Sequence, residues 1–317
     1  MTQPRLQHLP LPLFAAPMGI GGLGLAWREA ARGLGAPGFI GEALLLLATL
    51  LWLALAGLHL ARALRHPGAL AADLVHPVRA AFAGTVSIGL MIIAGGLTPY
   101  APGLAADVWL LGVVAHLGIG TWTVRGLLRS PKLAAVLTPP LLIPLVGNIL
   151  APVFGAPLGF PALNWMLFGL GAFLWFMLQP LLLYRLILGP ALPAALRPAL
   201  VIFLAPPAVG ALSLAGLTGG FGPGPLACLG LALLMAAVML SLVGDFARAP
   251  FAMSWWGWTF PSAAFASALQ QAARAHPEPW QAPLLWLVLL AVSGIVALVA
   301  GATLQRLLDG RLLVPEG

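Results

Sequence analysis

The chain has 317 residues, of which 61% are hydrophobic and only 7% are charged, and its mean hydropathy is +1.02. A soluble domain carries about 25% charged residues, so this composition excludes a soluble enzyme, a nucleic-acid-binding domain and a disordered chain. The net charge of +7, from 15 Lys and Arg against 8 Asp and Glu, then indicates basic loops that set membrane topology. The sequence therefore predicts an all-α polytopic membrane protein, with residues 1–317 as one transmembrane domain and short cytoplasmic tails at 1–12 and 308–317.

Ten apolar stretches follow one another along the chain, each close to the roughly 20 residues that a helix needs to cross a bilayer. They are Leu13–Ala31, Ile40–Leu64, Ala80–Thr98, Leu104–Val124, Leu133–Phe154, Pro161–Leu186, Leu196–Leu217, Pro225–Val243, Met253–Ala273 and Leu284–Leu307. Because they are continuously apolar rather than alternating, they predict helices and not barrel strands. A signal peptide is an alternative interpretation of the first stretch, since Arg5 precedes it. The stretch continues to Trp27, however, which is too long for a signal core.

The basic residues predict the orientation of the chain, because Lys and Arg concentrate in cytoplasmic loops. The N-terminal tail, the loops after the even-numbered spans and the C-terminal tail hold Arg5, Arg62, Arg65, Arg79, Arg125, Arg129, Lys132, Arg185, Arg197, Arg248, Arg306 and Arg311. The opposite side holds Arg28, Arg32 and Arg274. We therefore expect both termini on the cytoplasmic side of the inner (plasma) membrane.

The odd-numbered spans differ from the even-numbered ones, because they carry Pro, Gly and small polar residues near their middles. The candidate kink or pore-lining residues are Pro17, Gly21, Ser87, Pro144, Asn148, Pro206, Gly210, Thr259 and Pro261. A mid-helix proline frees a backbone carbonyl, which a membrane tolerates where protein or a water-filled cavity satisfies it. The alternation predicts five tandem hairpins: an inner ring of five kinked odd helices forming a pore and an outer ring of five even helices. The alternative is that Gly and Pro merely allow close helix packing.

Charged side chains are nearly absent from the spans, where they usually mark coupling sites. All acidic residues fall at helix ends, in loops or in tails, and only His59 and His116 lie within spans, both on even helices. This pattern argues against ion-coupled transport and catalysis and favours a passive conduit. The lone Cys228 excludes an internal disulfide, and we expect no metal site and no cofactor. The basic excess and the positive ends of broken helices favour an anion as the permeant species.

The densest aromatic segment runs from Arg248 to Ala268 and enters the ninth span. Trp255 fits an aromatic belt at the membrane interface. Phe260 lies deeper, between Thr259 and Pro261, and a phenyl ring in a narrow lumen would exclude water and close the pore. From the residues alone, ordinary packing of Phe260 is the alternative.

Several segments resemble the tellurite-resistance/C4-dicarboxylate transporter family, which includes bacterial tellurite-resistance protein A and plant slow anion channels. SWWGWTFPSAAFASA resembles the ninth-helix signature of that family, and PLPLFAAPMGIGGLGLAW, HPVRAAF, LLIPLVGNILAPV and QPLLLYRL resemble other segments in the same order. The resemblance implies a homotrimer with one pore in each protomer and a phenylalanine that plugs it, matched here by Phe260. It also matches Pro17, Pro144 and Pro206 to kinks of inner helices, whereas Pro261 stands where some relatives have Gly.

These observations predict an anion channel, or a channel-like anion exporter, whose passive flux is driven by the membrane potential. Its expected partners are small inorganic or organic anions, bilayer lipid and other copies of the chain, with no nucleic acid. The alternative is a proton-coupled carrier of C4-dicarboxylates or of sulfite- or tellurite-related anions, with His116 and Glu42 as its candidate groups. A membrane enzyme or haem subunit would instead need His59 and His116 to face each other.

Overall fold

The computed structural model of the chain describes residues 5–129 and 137–314, and in these ranges it contains helices and no β-strand. The α-helices are α1 (Ala15–Gly33), α2 (Gly38–Arg65), α3 (Pro67–Val75), α4 (Gly84–Leu97), α5 (Pro102–Arg129), α6 (Leu142–Val146), α7 (Ala151–Gly155), α8 (Pro161–Leu188), α9 (Ala205–Thr218), α10 (Pro223–Ser241), α11 (Val243–Ala247), α12 (Thr259–Ala275) and α13 (Gln281–Leu308). The 3-10 helices are Arg5–His8, Leu11–Phe14, Ala80–Ala83, Pro139–Leu141, Gly147–Leu150, Ala156–Leu158, Ala194–Leu204 and Met253–Trp258.

Eight helical segments in the described ranges are long and apolar enough to cross a membrane, judged by length and composition. They are Gly38–Arg65, Ala80–Leu97, Pro102–Arg129, Pro139–Leu158, Pro161–Leu188, Ala194–Thr218, Pro223–Ser241 and Gln281–Leu308. The chain is therefore a multi-pass membrane protein. The first and ninth sequence-predicted spans are also helical, but α1 ends in charged residues and α12 has only 17 residues.

Burial divides the long segments into two groups. In α2, α5, α8, α10 and α13, 22 to 28% of the most apolar stretch is buried, whereas this fraction is 67 to 72% in Ala80–Leu97, Pro139–Leu158 and Ala194–Thr218. Most residues of α1 and α12 are buried as well. A helix that is surrounded by protein needs no apolar surface for lipid, so burial permits α1 and α12 to be less apolar than the other spans.

Each of the five buried segments contains a 3-10 stretch, whereas the five exposed helices are continuous α-helices throughout their described lengths. The stretch Leu11–Phe14 precedes α1, Ala80–Ala83 precedes α4, Ala194–Leu204 precedes α9 and Met253–Trp258 precedes α12, while Pro139–Leu141 and Gly147–Leu150 flank α6. Pro12, Pro139 and Pro198 lie inside such stretches, and proline cannot donate the hydrogen bond that an α-helix requires.

Glycines allow the backbones of neighbouring helices to touch. A β-carbon on Gly41 in α2 would lie 2.8 Å from the carbonyl oxygen of Gly24 in α1. Helix α1 also packs against α4 and α12, and α9 packs against both α10 and α12. The close contacts of α1 with α2, α4 and α12 fix the positions of Gly22, Arg28 and Glu29 in α1.

The structure differs from the sequence predictions at several boundaries. Helix α5 continues to Arg129, so Arg125 and Arg129 lie on its last turns rather than in a loop. A short helix, α3, occupies the loop after α2, and its Asp73 accepts ion pairs from Arg62 at 2.6 Å and from Arg79 at 3.3 Å. Two leucines assigned to the N-terminal tail, Leu9 and Leu11, are buried. Lys132 and the first residues of the predicted fifth span, 133–136, lie outside the described residues.

Candidate functional site

Phe260 lies where the 3-10 helix Met253–Trp258 passes into α12. Pro261 occupies the first turn of α12, where a missing N–H breaks no intrahelical hydrogen bond. The hydroxyl of Thr259 donates to the carbonyl oxygen of Trp256 at 2.8 Å, which stabilises the same turn. The Phe260 side chain is buried, with 7% of the residue exposed.

The Phe260 ring lies against the backbone of Gly22 in α1. A β-carbon on Gly22 would be 2.9 Å from Cδ2 and 3.5 Å from Cε2 of this ring. The first distance is too short for a real β-carbon, so the ring occupies this position because residue 22 is a glycine.

A small apolar cavity of about 60 Å³ lies on one side of the Phe260 ring. Its wall is formed by residues from all five buried segments, including Ala15, Met18, Phe82, Ile88, Leu142, Val146, Leu150, Ile202, Pro206, Phe260 and Pro261. Several of these residues belong to 3-10 stretches, among them Phe82, Leu150 and Ile202.

A larger cavity of about 360 Å³ also reaches Phe260 and is again lined by the five buried segments. Its wall includes Gly22, Leu25, Arg28, Glu29, Arg32, Gly95, Thr98, Leu150, Phe154, Leu212, Gly216, Phe260, Ala264, Ser267 and Gln271. Phe260 and Leu150 line both cavities, so their side chains stand at the boundary between them. Most of the other residues of this wall belong to α-helices and lie toward their carboxyl ends.

Arg28 forms a partly buried hydrogen-bond network at the wall of the larger cavity. Its Nε and Nη2 atoms donate to the two carboxylate oxygens of Glu42 in α2, at 2.8 and 2.7 Å. Its Nη1 and Nη2 atoms also donate to the carbonyl oxygens of Gly95 and Gly96, at 3.0 and 3.2 Å. The guanidinium group therefore connects α1 with α2 and with the carboxyl end of α4.

Glu29 is shared by two arginines at the same wall. Its carboxylate accepts from Arg32 at 2.7 Å and from Arg274 in α12. Together with the pair of Arg28 and Glu42, these residues form a cluster of three guanidinium groups and two carboxylates. The cluster carries one net positive charge (3 − 2 = +1) beside the larger cavity. Sequence reasoning assigned these arginines to the side of the membrane with few basic residues and missed the site. The signal that could have found it is the spacing of Arg28, Glu29 and Arg32 within one helical turn.

Three of the sequence-predicted site residues, Phe260, Pro206 and Pro261, line the small cavity. Three others lie at helix contacts. Gly21 faces Ile92 and Ala48, Gly210 faces Ile149, and Thr259 fills the space above Gly19. Pro17 is buried within α1.

The remaining predicted residues point elsewhere. Pro144 and Asn148 line a separate cleft beside α5 and α8. Ser87 is buried, and its Oγ lies 2.8 Å from Nδ1 of His116. The structure therefore gathers only part of the predicted set around one space.

The two histidines of the spans lie in different surroundings and do not face each other as a ligand pair. The His59 ring lies against Phe14, with ring centroids 5.1 Å apart. His116 is fully buried, and its Nε2 lies near Gly147 with no hydrogen-bond partner among the described residues. In the described ranges, no group of three or more His, Cys, Asp or Glu side chains is placed to hold a metal ion.

Comparison with known proteins identifies the family. A family model described as "SLAC1: Voltage-dependent anion channel" matches residues 8–304. The S-type anion channels SLAH3 and SLAH2 of Arabidopsis thaliana are each 25% identical, over 81% and 84% of this chain and 42% and 53% of their own lengths. A tellurite resistance protein TehA homolog of Haemophilus influenzae is 26% identical over 62% of this chain and 61% of its own length. The chain thus spans about half the length of the curated relatives it matches. It belongs to the SLAC1 family, whose members are anion channels and transporters rather than enzymes.

Proposed function

We propose that this protein conducts anions passively through a pore that the side chain of Phe260 closes. The observation that carries the proposal is the position of Phe260 between two cavities, each lined by the same five buried segments. An aromatic ring between a small apolar cavity and a larger one that has charged residues in its wall closes a path by excluding water. The membrane potential, worth about 2.3 kcal/mol per charge for each 100 mV, supplies the driving force.

The proposed channel consists of five tandem hairpins. In each hairpin, a buried segment belongs to an inner ring around the pore, and the exposed helix that follows belongs to an outer ring facing lipid. The burial of the two groups of helices supports this arrangement, and so does the origin of the residues that line both cavities.

The charges at the larger cavity support an anion as the permeant species. The carboxyl ends of α1, α4 and α12 approach this cavity, and helix carboxyl ends carry partial negative charge that repels anions. Arg28, Arg32 and Arg274 offset this charge, and the cluster they form with Glu29 and Glu42 keeps one positive charge in excess. The basic residues assigned to the cytoplasmic side would also attract anions toward the pore.

The proposal extends to assembly and location. We propose a homotrimer in the inner membrane, with both termini in the cytoplasm and an independent pore in each protomer. The distribution of Lys and Arg between the two sides supports this orientation. The names of the S-type anion channels of Arabidopsis thaliana support anions as the permeant class.

Replacement of the gating side chain tests the proposal directly. Phe260→Ala in proteoliposomes should raise the flux of small anions under an applied potential, about tenfold for each 1.4 kcal/mol removed from the barrier. Phe265→Ala is the matched control, because Phe265 is a buried phenylalanine of the same helix. Unchanged flux in a well-folded Phe260→Ala protein would refute the gating role.

The position of His116 favours a second candidate, a proton-coupled anion carrier. The unpartnered Nε2 of His116 lies beside Gly147, which lines the small cavity. Glu42, the other candidate proton-binding group, is occupied by the bidentate ion pair with Arg28. Uphill anion uptake that follows an imposed pH gradient and disappears in His116→Ala would favour the carrier over the channel.

A further inference from the structure

Two unpaired arginines lie one turn apart near the carboxyl end of α5. Arg125 and Arg129 are both exposed, and within the described part of the chain neither forms an ion pair. The neighbouring residues 130–136 include no Asp or Glu. A helix of 28 residues is about 42 Å long at 1.5 Å per residue, whereas the hydrocarbon core of a bilayer is about 30 Å thick. Helix α5 is therefore long enough for its last turns to reach the headgroup region.

Two clefts meet at this pair of arginines. The first, of about 620 Å³, lies between α5, the segment around Pro144 and α8, and its wall includes Leu117, Val124, Leu145 and Leu170. The second, of about 430 Å³, lies between α5 and the residues that follow α3, and Trp122 lines it. Arg125 and Arg129 line both clefts, and among the described residues neither wall includes an Asp or Glu.

The first cleft opens toward the surroundings of the protein, because both α5 and α8 are mainly exposed helices. An apolar cleft at membrane depth does not remain empty, since lipid chains are available to fill it. The leucine-lined wall suits an acyl chain, while the two guanidinium groups at its end suit a phosphate group. The exposed indole of Trp122 is typical of the interface between headgroups and acyl chains.

We propose that this surface binds one anionic glycerophospholipid. Arg125 and Arg129 hold the phosphate of its headgroup, and one acyl chain lies in the cleft between α5 and α8. The positive charges, with no carboxylate to offset them at either cleft, favour an anionic headgroup over a zwitterionic one. This inference is independent of the proposed anion flux, because it concerns the outer surface of the chain and not the cavities beside Phe260.

Lipid retention during native mass spectrometry tests the site. The purified protein is mixed with phosphatidylglycerol or phosphatidylcholine of identical acyl chains, and the retained lipid is counted. The unaltered protein should retain phosphatidylglycerol preferentially. Arg125→Gln/Arg129→Gln should weaken this retention about 20- to 30-fold, since each arginine near a membrane surface contributes about a fivefold preference. The matched control is Arg65→Gln/Arg197→Gln, which removes two other exposed arginines and should retain the lipid.

Three outcomes would overturn the proposal. The first is equal retention of the two lipids, and the second is an equal loss of retention in the control variant. The third is closure of the cleft by another copy of the chain, which would protect the thiol of Thr121→Cys/Cys228→Ala from a maleimide in the lipid-free oligomer; Cys228 is the only native cysteine. If the double variant fails to fold, as judged by gel filtration, Arg125→Gln and Arg129→Gln alone should each weaken retention about fivefold.

Discussion

The aromatic ring of Phe260 packs against Gly22 of α1, where the absence of a side chain leaves room for the ring. A β-carbon on Gly22 would lie 2.9 Å from Cδ2 of Phe260 and 3.4 Å from the β-carbon of Ala263. Phe260, which borders both cavities, is therefore held in place by packing against a residue without a side chain.

Gly22→Ala should displace the Phe260 ring and raise anion flux in proteoliposomes, because 2.9 Å is too close for two carbon atoms and the ring is the part that can move. The control is Gly21→Ala in the same helix, whose added methyl group would meet Ile92 of α4 instead. Gly21→Ala should reduce stability without raising flux. Equal anion flux in Gly22→Ala, Gly21→Ala and the unaltered protein would show that packing against Gly22 does not hold the Phe260 ring in place.

Phe260→Ala should cost less stability than a comparable truncation in a closely packed region. Removing a buried phenyl ring typically costs about 3–5 kcal/mol, and Phe246→Ala should show this loss because Phe246 packs edge-on against Trp258 with ring centroids 5.4 Å apart. Phe260 already borders two cavities, so its truncation should cost about 1–2 kcal/mol. Thermal unfolding in detergent compares the two variants. A larger loss for Phe260→Ala would indicate a packing role instead of a gate.

Changes in charge at the larger cavity should alter flux in opposite directions. Glu29→Gln removes the carboxylate that Arg32 and Arg274 share, so it should raise anion flux about twofold to tenfold at low salt. Arg32→Gln should lower flux by a similar factor, and both effects should shrink as ionic strength rises. Shifts of the same sign in Glu29→Gln and Arg32→Gln would show that charge at this cavity does not govern entry.

Tyr100 should report on Glu42 in a pH titration. Interaction with the Glu42 carboxylate, through hydrogen bonding to the Tyr100 hydroxyl and through its negative charge, raises the pKa of Tyr100 above its ordinary value of 10.0. Glu42→Gln should therefore lower the pKa of Tyr100 toward that value, which ultraviolet absorbance of the phenolate can measure. The chain has only two tyrosines, so the comparison is made in a Tyr184→Phe background, where the absorbance change belongs to Tyr100. An unchanged Tyr100 titration in Glu42→Gln would contradict this interaction.

The all-helical membrane fold could be predicted from the sequence because apolar length is a direct requirement of the bilayer. The helices α2, α5, α8, α10 and α13 each begin and end within a few residues of the predicted spans, apart from the extension of α5 to Arg129. The first and ninth spans are the instructive cases. Both spans are covered by protein, so they do not need apolar side chains on every face. Arg28 and Glu29 can therefore lie in α1 without facing lipid.

The candidate site was less accessible to sequence reasoning. The composition of the odd spans indicated which segments meet, but not which face of each segment points inward. Ser87 therefore contacts His116, and Asn148 lines an outer cleft, although both were assigned to the pore. The cluster around Glu29 was missed because ion pairs such as Glu29 with Arg274 join residues far apart in the sequence.

The position of the 3-10 stretches predicts that the proposed channel passes unequal currents in the two directions. They contribute residues such as Phe82, Ile202 and Gly257 to the wall of the small cavity, whereas the larger cavity is walled mainly by α-helices. A 3-10 helix is more tightly wound than an α-helix, so the backbones can draw closer on that side. An ion arriving through the tight end must shed its hydration shell early, while one arriving from the roomy end keeps it until it reaches the ring. A dehydration barrier off the centre of the transmembrane field would make inward and outward currents unequal, so the proposed channel would rectify.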